Sequence, residues 1–238
     1  MKLFCFPHAG GFSLYYNFLR KHEYQHIDRI FLFDYPRNSF TFDGTSEDFR
    51  CYVKAALSYI MKNLAEGEEY LLFGHSMGAF VACEAGLTMQ NTHKKAPAGV
   101  IVSGTNPPYA VTLGKYNEMP KDKFSFAKKL GGLPQQILDD PEKCEKIFRI
   151  AETDLKAIAV YQPTQTTEND RLDCGLVLHG EKDIIIDPAY HSYWNRTFSN
   201  IYSDMVFSGD HFYLDNHHEE IATLIDDFAG ARAKESTK

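Results

Sequence analysis

The stretch Tyr70-Leu71-Leu72-Phe73-Gly74-His75-Ser76-Met77-Gly78-Ala79-Phe80-Val81-Ala82-Cys83-Glu84-Ala85 constrains this chain more than any other, because it reads as a buried strand, a tight turn and a helix in immediate succession. Its centre carries Gly-x-Ser-x-Gly, the pattern of a nucleophile elbow, a strand-to-helix corner that lifts a serine hydroxyl out of a sheet. Ser76 occupies the apex. Gly74 and Gly78 stand two residues either side of it, where the strand and helix backbones crowd and a Cβ would collide. The helix that follows aims unpaired N–H groups at the turn, and the Met77 amide is placed to meet negative charge on an oxygen of the carbon that Ser76 attacks. At ordinary glycine and serine frequencies the bare pattern turns up in about one chain of this size in ten. What carries the reading is therefore its context, the apolar run before it and the helical pattern from Ala79 to Leu87 after it.

The rest of the chain supplies a sheet around that corner. Leu3 to Phe6 reads as a short buried strand that ends in the glycine-rich loop Pro7-His8-Ala9-Gly10-Gly11, followed by an aromatic helix from Ser13 to Arg20. In elbow enzymes the second oxyanion donor is a backbone N–H from a loop after an early strand, which makes Ala9 the candidate here. Arg29 to Tyr35 is a second apolar run stopped by Pro36, and Phe49, Val53, Ala56, Leu57, Ile60, Met61 and Leu64 recur at helical spacing. Ala98 to Gly104 reads as the strand after the elbow helix. Strand and helix thus alternate, as in a parallel sheet. The alternation breaks between about residues 109 and 168. That segment holds the phrase Leu130-Gly131-Gly132-Leu133-Pro134 and a helix start at Asp140-Pro141-Glu142, with Ile147, Ala151, Leu155 and Ile158 on one face. It reads as a helical insertion over the carboxyl ends of the strands, a lid. Leu172 to His179 resumes the sheet, Pro188 opens a helix carrying Tyr190, Tyr193, Trp194 and Phe198, and Ser203 to Phe207 is the last strand. A closing helix covers 218–228, and the small, charged tail from Gly230 is expected to fray.

Composition excludes several classes. In 238 residues the formal charge is −7, which disfavours nucleic acid, since phosphate binding needs a basic face. No apolar run is long enough to cross a bilayer and the amino terminus lacks a signal-peptide pattern, so a cytoplasmic protein with no membrane partner is expected. The five cysteines are odd in number, scattered and never in a Cys-x-x-Cys pair, against both a disulfide framework and a zinc knuckle. No metal is expected. The one close histidine pair, His217-His218, precedes Glu219-Glu220 and reads as a solvated helix start.

A serine hydroxyl needs a base to take its proton and an acid to orient that base. In elbow enzymes the acid and then the histidine follow the serine along the chain, each leaving the carboxyl end of a strand. Of His191, His211, His217 and His218, only His211 sits in a loop just past the final strand. Asp183 occupies the matching loop one strand earlier. Its rivals are Asp187, which suits an N-cap before Pro188, and Asp210, whose closeness in sequence to His211 leaves it badly placed for the far nitrogen.

At this point the chain resembles the type II thioesterases that accompany non-ribosomal peptide and polyketide synthases. The resemblance rests on Cys5-Phe6-Pro7-His8-Ala9-Gly10-Gly11, on Phe73-Gly74-His75-Ser76-Met77-Gly78-Ala79, on the 130–134 phrase, on the run from Asp154 to Tyr161 and on Ser208-Gly209-Asp210-His211-Phe212-Tyr213-Leu214. It implies an α/β-hydrolase fold, a mostly parallel central sheet with helices on both faces and a helical lid insertion, divided as core 1–108, lid 109–168, core 169–230 and frayed tail 231–238. It also implies hydrolysis of stalled or misprimed acyl groups on the phosphopantetheine arm of acyl or peptidyl carrier proteins. Ser76, Asp183 and His211 take the triad positions, Ala9 and Met77 the oxyanion hole, with no cofactor and a monomeric enzyme. Where the family has Tyr-Pro-Gly-Arg, this chain has Tyr35-Pro36-Arg37-Asn38, a departure that bears on the substrate entrance. Lys115, Lys121, Lys123, Lys128 and Lys129, set against Glu118 and Asp122, form a basic face suited to an acidic carrier protein. A general carboxylesterase, a medium-chain fatty acyl thioesterase and a non-catalytic binding protein of the same fold remain open alternatives.

Overall fold

The computed structural model describes residues 1–111 and 139–235. The 130–134 phrase and the lysine run 115–129 lie outside the described residues. Six strands form one sheet in the order β2-β1-β3-β4-β5-β6: β1 (Lys2–Phe6), β2 (Arg29–Leu32), β3 (Tyr70–His75), β4 (Gly99–Ser103), β5 (Leu172–Gly180) and β6 (Phe198–Phe207). Every neighbouring pair is parallel, with Leu3 opposite Ile30 and Leu71, and Leu72 opposite Val100. Among the described residues four long helices accompany them: α1 (Glu47–Asn63), α2 (Met77–Asn91), α3 (Pro141–Ala159) and α4 (His218–Glu235).

A parallel sheet covered on both faces buries both sets of alternating side chains, so its central strands read as unbroken apolar runs. Phe4, Phe6, Tyr70, Leu72, Val100 and Val102 point to one side, where Phe49, Val53 and Ile60 of α1, Phe80 and Val81 of α2 and Ile158 of α3 join them in one core. Leu3, Cys5, Leu71, Phe73, Ile101 and Leu176 point to the other, against Tyr16 and Leu19 and against Ile221, Ile225 and Phe228 of α4. Helix α2 is enclosed all round, with every residue from Met77 to Leu87 buried. Its Glu84 is buried too, and accepts hydrogen bonds from Tyr161 Oη (2.6 Å), Thr164 N (2.9 Å) and Thr164 Oγ1 (2.6 Å). The chain leaving α3 is thereby tied to the elbow helix.

Several local expectations are corrected. The aromatic segment Ser13–Lys21 winds as a 3-10 helix. Phe198 begins the last strand rather than belonging to a helix, and β6 is ten residues long, because a single helical turn, Trp194–Thr197, runs directly into it with no intervening turn residue. The sequence reading ends the closing helix at Phe228, short of its observed extent. Helix α4 continues to Glu235, Gly230 is buried, and Arg232 donates from Nε to the Ala98 carbonyl (2.5 Å) while pairing with Asp173. No helix among the described residues is long and apolar enough to cross a membrane.

Candidate active site

The loops at the carboxyl ends of β1, β3, β5 and β6 converge on one rim of the sheet, the place where open parallel sheets bind ligands. Ser76 sits there with φ 54° and ψ −119°, positive-φ backbone that a side chain other than glycine adopts only under strain. The corner is fixed from both sides: Ser76 N donates to the Ser103 carbonyl at 2.7 Å, and Ala79 N to the Ser76 carbonyl at 3.0 Å. A Cβ on Gly74 would fall 2.0 Å from the Gly78 carbonyl oxygen, and one on Gly78 would fall 1.9 Å from that of Phe6, so the steric reading of these glycines holds. From Tyr70 to Leu87 the single residue with partial exposure is Ser76. Met77, as the first residue of α2, has an N–H without an intrahelical acceptor.

The loop after β6 is stitched to the loop after β5 by Glu181 N to Phe207 O (2.8 Å) and Lys182 N to Gly209 O (2.8 Å). That stitching brings Asp183 and His211 together, with His211 Nδ1 and Asp183 Oδ2 2.8 Å apart and both side chains buried. The second carboxylate oxygen of Asp183 accepts from Ile185 N at 2.9 Å, so the carboxylate is held by both ends. A carboxylate against Nδ1 keeps the proton on that nitrogen and leaves Nε2 as the acceptor. The His211 ring packs against that of His75, the residue before Ser76, at 4.8 Å between centroids.

The rivals are engaged elsewhere. Asp187 Oδ1 accepts from Ala189 N (3.1 Å) as an N-cap, and Asp210 Oδ1 accepts from Phe212 N (2.9 Å) within its own turn. His191 pairs with Asp204, His217 with Ser208 and Glu220, and His218 stacks on Phe18.

On the other side of Ser76, His8 to Gly11 form a turn closed by Gly11 N to His8 O (2.9 Å), with Gly10 at φ 77°, the sign that the third position of a type II turn demands. Gly10 N donates to Asp154 Oδ2 at 2.7 Å, whereas the Ala9 amide donates no hydrogen bond among the described residues. The substitution at Tyr35-Pro36-Arg37-Asn38 is resolved by geometry. Arg37 opens a 3-10 turn, Arg37–Ser39, and sends its guanidinium inward to Asp154 (2.7 Å) and to the Gly11 carbonyl (3.0 Å).

Two further histidines pack around this pair, His75 against His211 and His8 with its ring centroid 6.0 Å from that of His75. His75 Nδ1 bonds Ser103 Oγ (2.8 Å), which bonds Tyr213 Oη (2.6 Å), and burial pushes this imidazole well below its ordinary pKa, with His211 and His8 adding to the effect. Burial likewise lowers His8 to about 3, helped by His211 and Arg37. Both rings are neutral at physiological pH. Neither these two nor Asp154 was assigned a role from sequence. For Asp154 a signal existed, since it lies on the apolar stripe of α3, between Ala151 and Ile158, where a carboxylate has no reason to be unless something pairs with it. The five cysteines are free, and among the described residues no cluster of three metal-ligating side chains is found.

The model of the thioesterase domain family matches residues 1–229. Among curated relatives, a Brevibacillus parabrevis protein named linear gramicidin dehydrogenase LgrE is 27% identical over 193 residues, covering 77% of this chain and 73% of its own. Thioesterase PikA5 of Streptomyces venezuelae is 26% identical over 233 residues, 95% of this chain and 80% of its own. The solved structure of ClbQ, from the colibactin non-ribosomal peptide and polyketide pathway, superposes with a TM-score of 0.81 over 98% of each chain at 21% identity, so the two share a fold. With a family match that spans nearly its whole length laid over an elbow serine and an aspartate-held histidine, this chain belongs to the thioesterase family, on an α/β-hydrolase fold.

Proposed function

We propose that this protein is a type II thioesterase, hydrolysing stalled or misprimed acyl groups from the phosphopantetheine arm of acyl or peptidyl carrier proteins in non-ribosomal peptide or polyketide synthesis. The observation that carries the chemistry is the buried Asp183–His211 pair, whose imidazole packs 4.8 Å (ring centroids) from that of His75, the chain neighbour of the strained, partly exposed Ser76. The pathway reading is supported by the likeness to PikA5 and ClbQ.

His211 Nε2 accepts the Ser76 proton as Oγ attacks the thioester carbonyl, and the Ala9 and Met77 amides hold the resulting oxyanion. The C–S bond then breaks, the leaving sulfur takes the proton from His211, and the acyl group remains on Ser76. Water, deprotonated by His211, attacks the acyl-enzyme, and the acid departs as Oγ recovers its proton. Every proton moves through one imidazole, so no cofactor enters the scheme. In this reading the segment 109–168 serves as a lid, the enzyme works in the cytoplasm as a monomer, and the basic run 115–129 meets the acidic carrier.

The test is a panel of acyl-loaded carrier proteins with Ser76→Ala beside the wild type. Turnover should fall by at least about 10³-fold with the fold unchanged by circular dichroism. Near-normal hydrolysis by that variant rejects the mechanism. A preference for oxygen esters over carrier thioesters would make the protein a general carboxylesterase, and a preference for free medium-chain acyl thioesters would make it a fatty acyl thioesterase.

A further inference from the structure

The loop assigned an oxyanion donor is held by a carboxylate 144 residues away in the chain. Asp154, on α3, has no exposed surface. Its Oδ2 accepts from Gly10 N at 2.7 Å and Arg37 Nη2 at 2.7 Å, its Oδ1 from Tyr52 Oη at 2.6 Å, and Arg37 Nε lies 3.0 and 3.1 Å from the two oxygens. Arg37 Nη2 then bonds the Gly11 carbonyl at 3.0 Å. The turn is therefore gripped at two points, Gly10 N–H by the carboxylate and Gly11 C=O by the guanidinium that the same carboxylate holds. Helix α3 also lies flush against it, since a Cβ on Gly10 would come within 2.9 Å of Ala151 Cβ.

We propose that Asp154 is a positioning residue for thioester hydrolysis. Together with Arg37 it holds the peptides on either side of Gly10, and the turn bond from Gly11 N to the His8 carbonyl passes that constraint to the His8–Ala9 peptide, whose N–H is the Ala9 donor. This rests on the hydrolase reading given above. The reason a charge is used is energetic. A carboxylate accepting an amide N–H makes a shorter and stronger bond than a neutral acceptor does, and a buried carboxylate matched by a buried guanidinium cannot be re-solvated without separating the pair. An oxyanion donor displaced by about 1 Å loses about 10²-fold in rate, a loss felt in the transition state far more than in substrate binding. Taking the Gly10 amide out of competition also leaves Ala9 as the donor of this turn that is free for the oxyanion.

The experiment compares wild type, Asp154→Ala, Asp154→Asn and Tyr52→Phe on an acyl-carrier thioester, alongside inhibition by an acyl trifluoromethyl ketone, whose hemiketal oxyanion needs the same donors. Asp154→Ala should lower kcat about 30- to 300-fold with KM within about twofold, and weaken the inhibitor by the same factor as kcat/KM. Asp154→Asn, whose amide oxygen still accepts from Gly10, should lose about 5- to 30-fold, and Tyr52→Phe, which touches the carboxylate and not the loop, under about fivefold. Should Asp154→Ala fail to fold, Asp154→Asn carries the same comparison. An active wild type with an equally active folded Asp154 variant, or a fall in kcat with inhibitor affinity unchanged, overturns the positioning role alone. A wild type inert on all thioesters overturns the hydrolase reading and this inference with it.

Discussion

Replacing Ser76 by glycine should make the protein more stable than replacing it by alanine, although both lose the hydroxyl proposed as nucleophile. At φ 54° and ψ −119° the residue lies outside the small left-handed region open to side chains, and its Cβ is the source of the conflict. Such backbone costs about 1–3 kcal/mol. Alanine keeps the Cβ and so keeps the cost, while glycine removes it. Glycine also loosens the unfolded chain, which takes back about 0.4–1 kcal/mol. The net advantage of Ser76→Gly over Ser76→Ala is about 1 kcal/mol, or about 2–4 °C in Tm for a domain of this size. Comparing the two variants with each other cancels any bond made by the hydroxyl. Calorimetry or urea unfolding reads the difference. If the glycine variant is equal to or less stable than the alanine variant, the elbow stores no backbone strain, and the account of how the serine is held out of the sheet fails.

Gly78→Ala should destabilise by about 3 kcal/mol or more and abolish hydrolysis, because its Cβ meets the Phe6 backbone oxygen at 1.9 Å, whereas Gly86→Ala, which meets only movable side-chain carbons of Leu172, Leu72 and Pro97, should be near neutral in urea unfolding. Acid should weaken the fold through its neutral imidazoles. The unfolded chain takes up protons on His8 and His75 near pH 6.5, the native state keeps His8 neutral down to about 3 and His75 neutral well below its ordinary value, and so stability falls as pH drops below about 6.5, by up to about 1.4 kcal/mol per pH unit for each. Urea midpoints at pH 7 and 5 should show a shallower loss in His8→Phe than in wild type, and parallel losses would refute the assignment.

What could be seen in the sequence was whatever is local. The elbow declares itself because Gly74, Ser76 and Gly78 act on each other within five residues, and Asp183 and His211 could be chosen because strand ends fix where loops emerge. The last strand was half missed, since β6 is an edge strand with exposed Ser199, Asn200, Asp204 and Val206 among its residues, and without a covered outer face the apolar alternation fades. The continuation of α4 past Phe228 is not legible locally, because the partners that hold Arg232, the Ala98 carbonyl and Asp173, are far away in the chain. The Asp154 clamp gathers residues 10, 11, 37, 52 and 154, and no window of sequence contains them together. Tyr35-Pro36-Arg37-Asn38 showed that something differed at the entrance, but not that the arginine turns inward.

The enclosure of α2 has a consequence for how reactivity arises. A helix with no outward stripe has nothing to hold it on a half-formed sheet, and its neighbours on every side must be in place before its first turn is fixed. The serine at its head, proposed above as the nucleophile, therefore takes its strained geometry late, when assembly is complete. A partly folded chain carries the same residues yet is chemically quiet, so covalent capture of that hydroxyl counts finished molecules rather than synthesised ones.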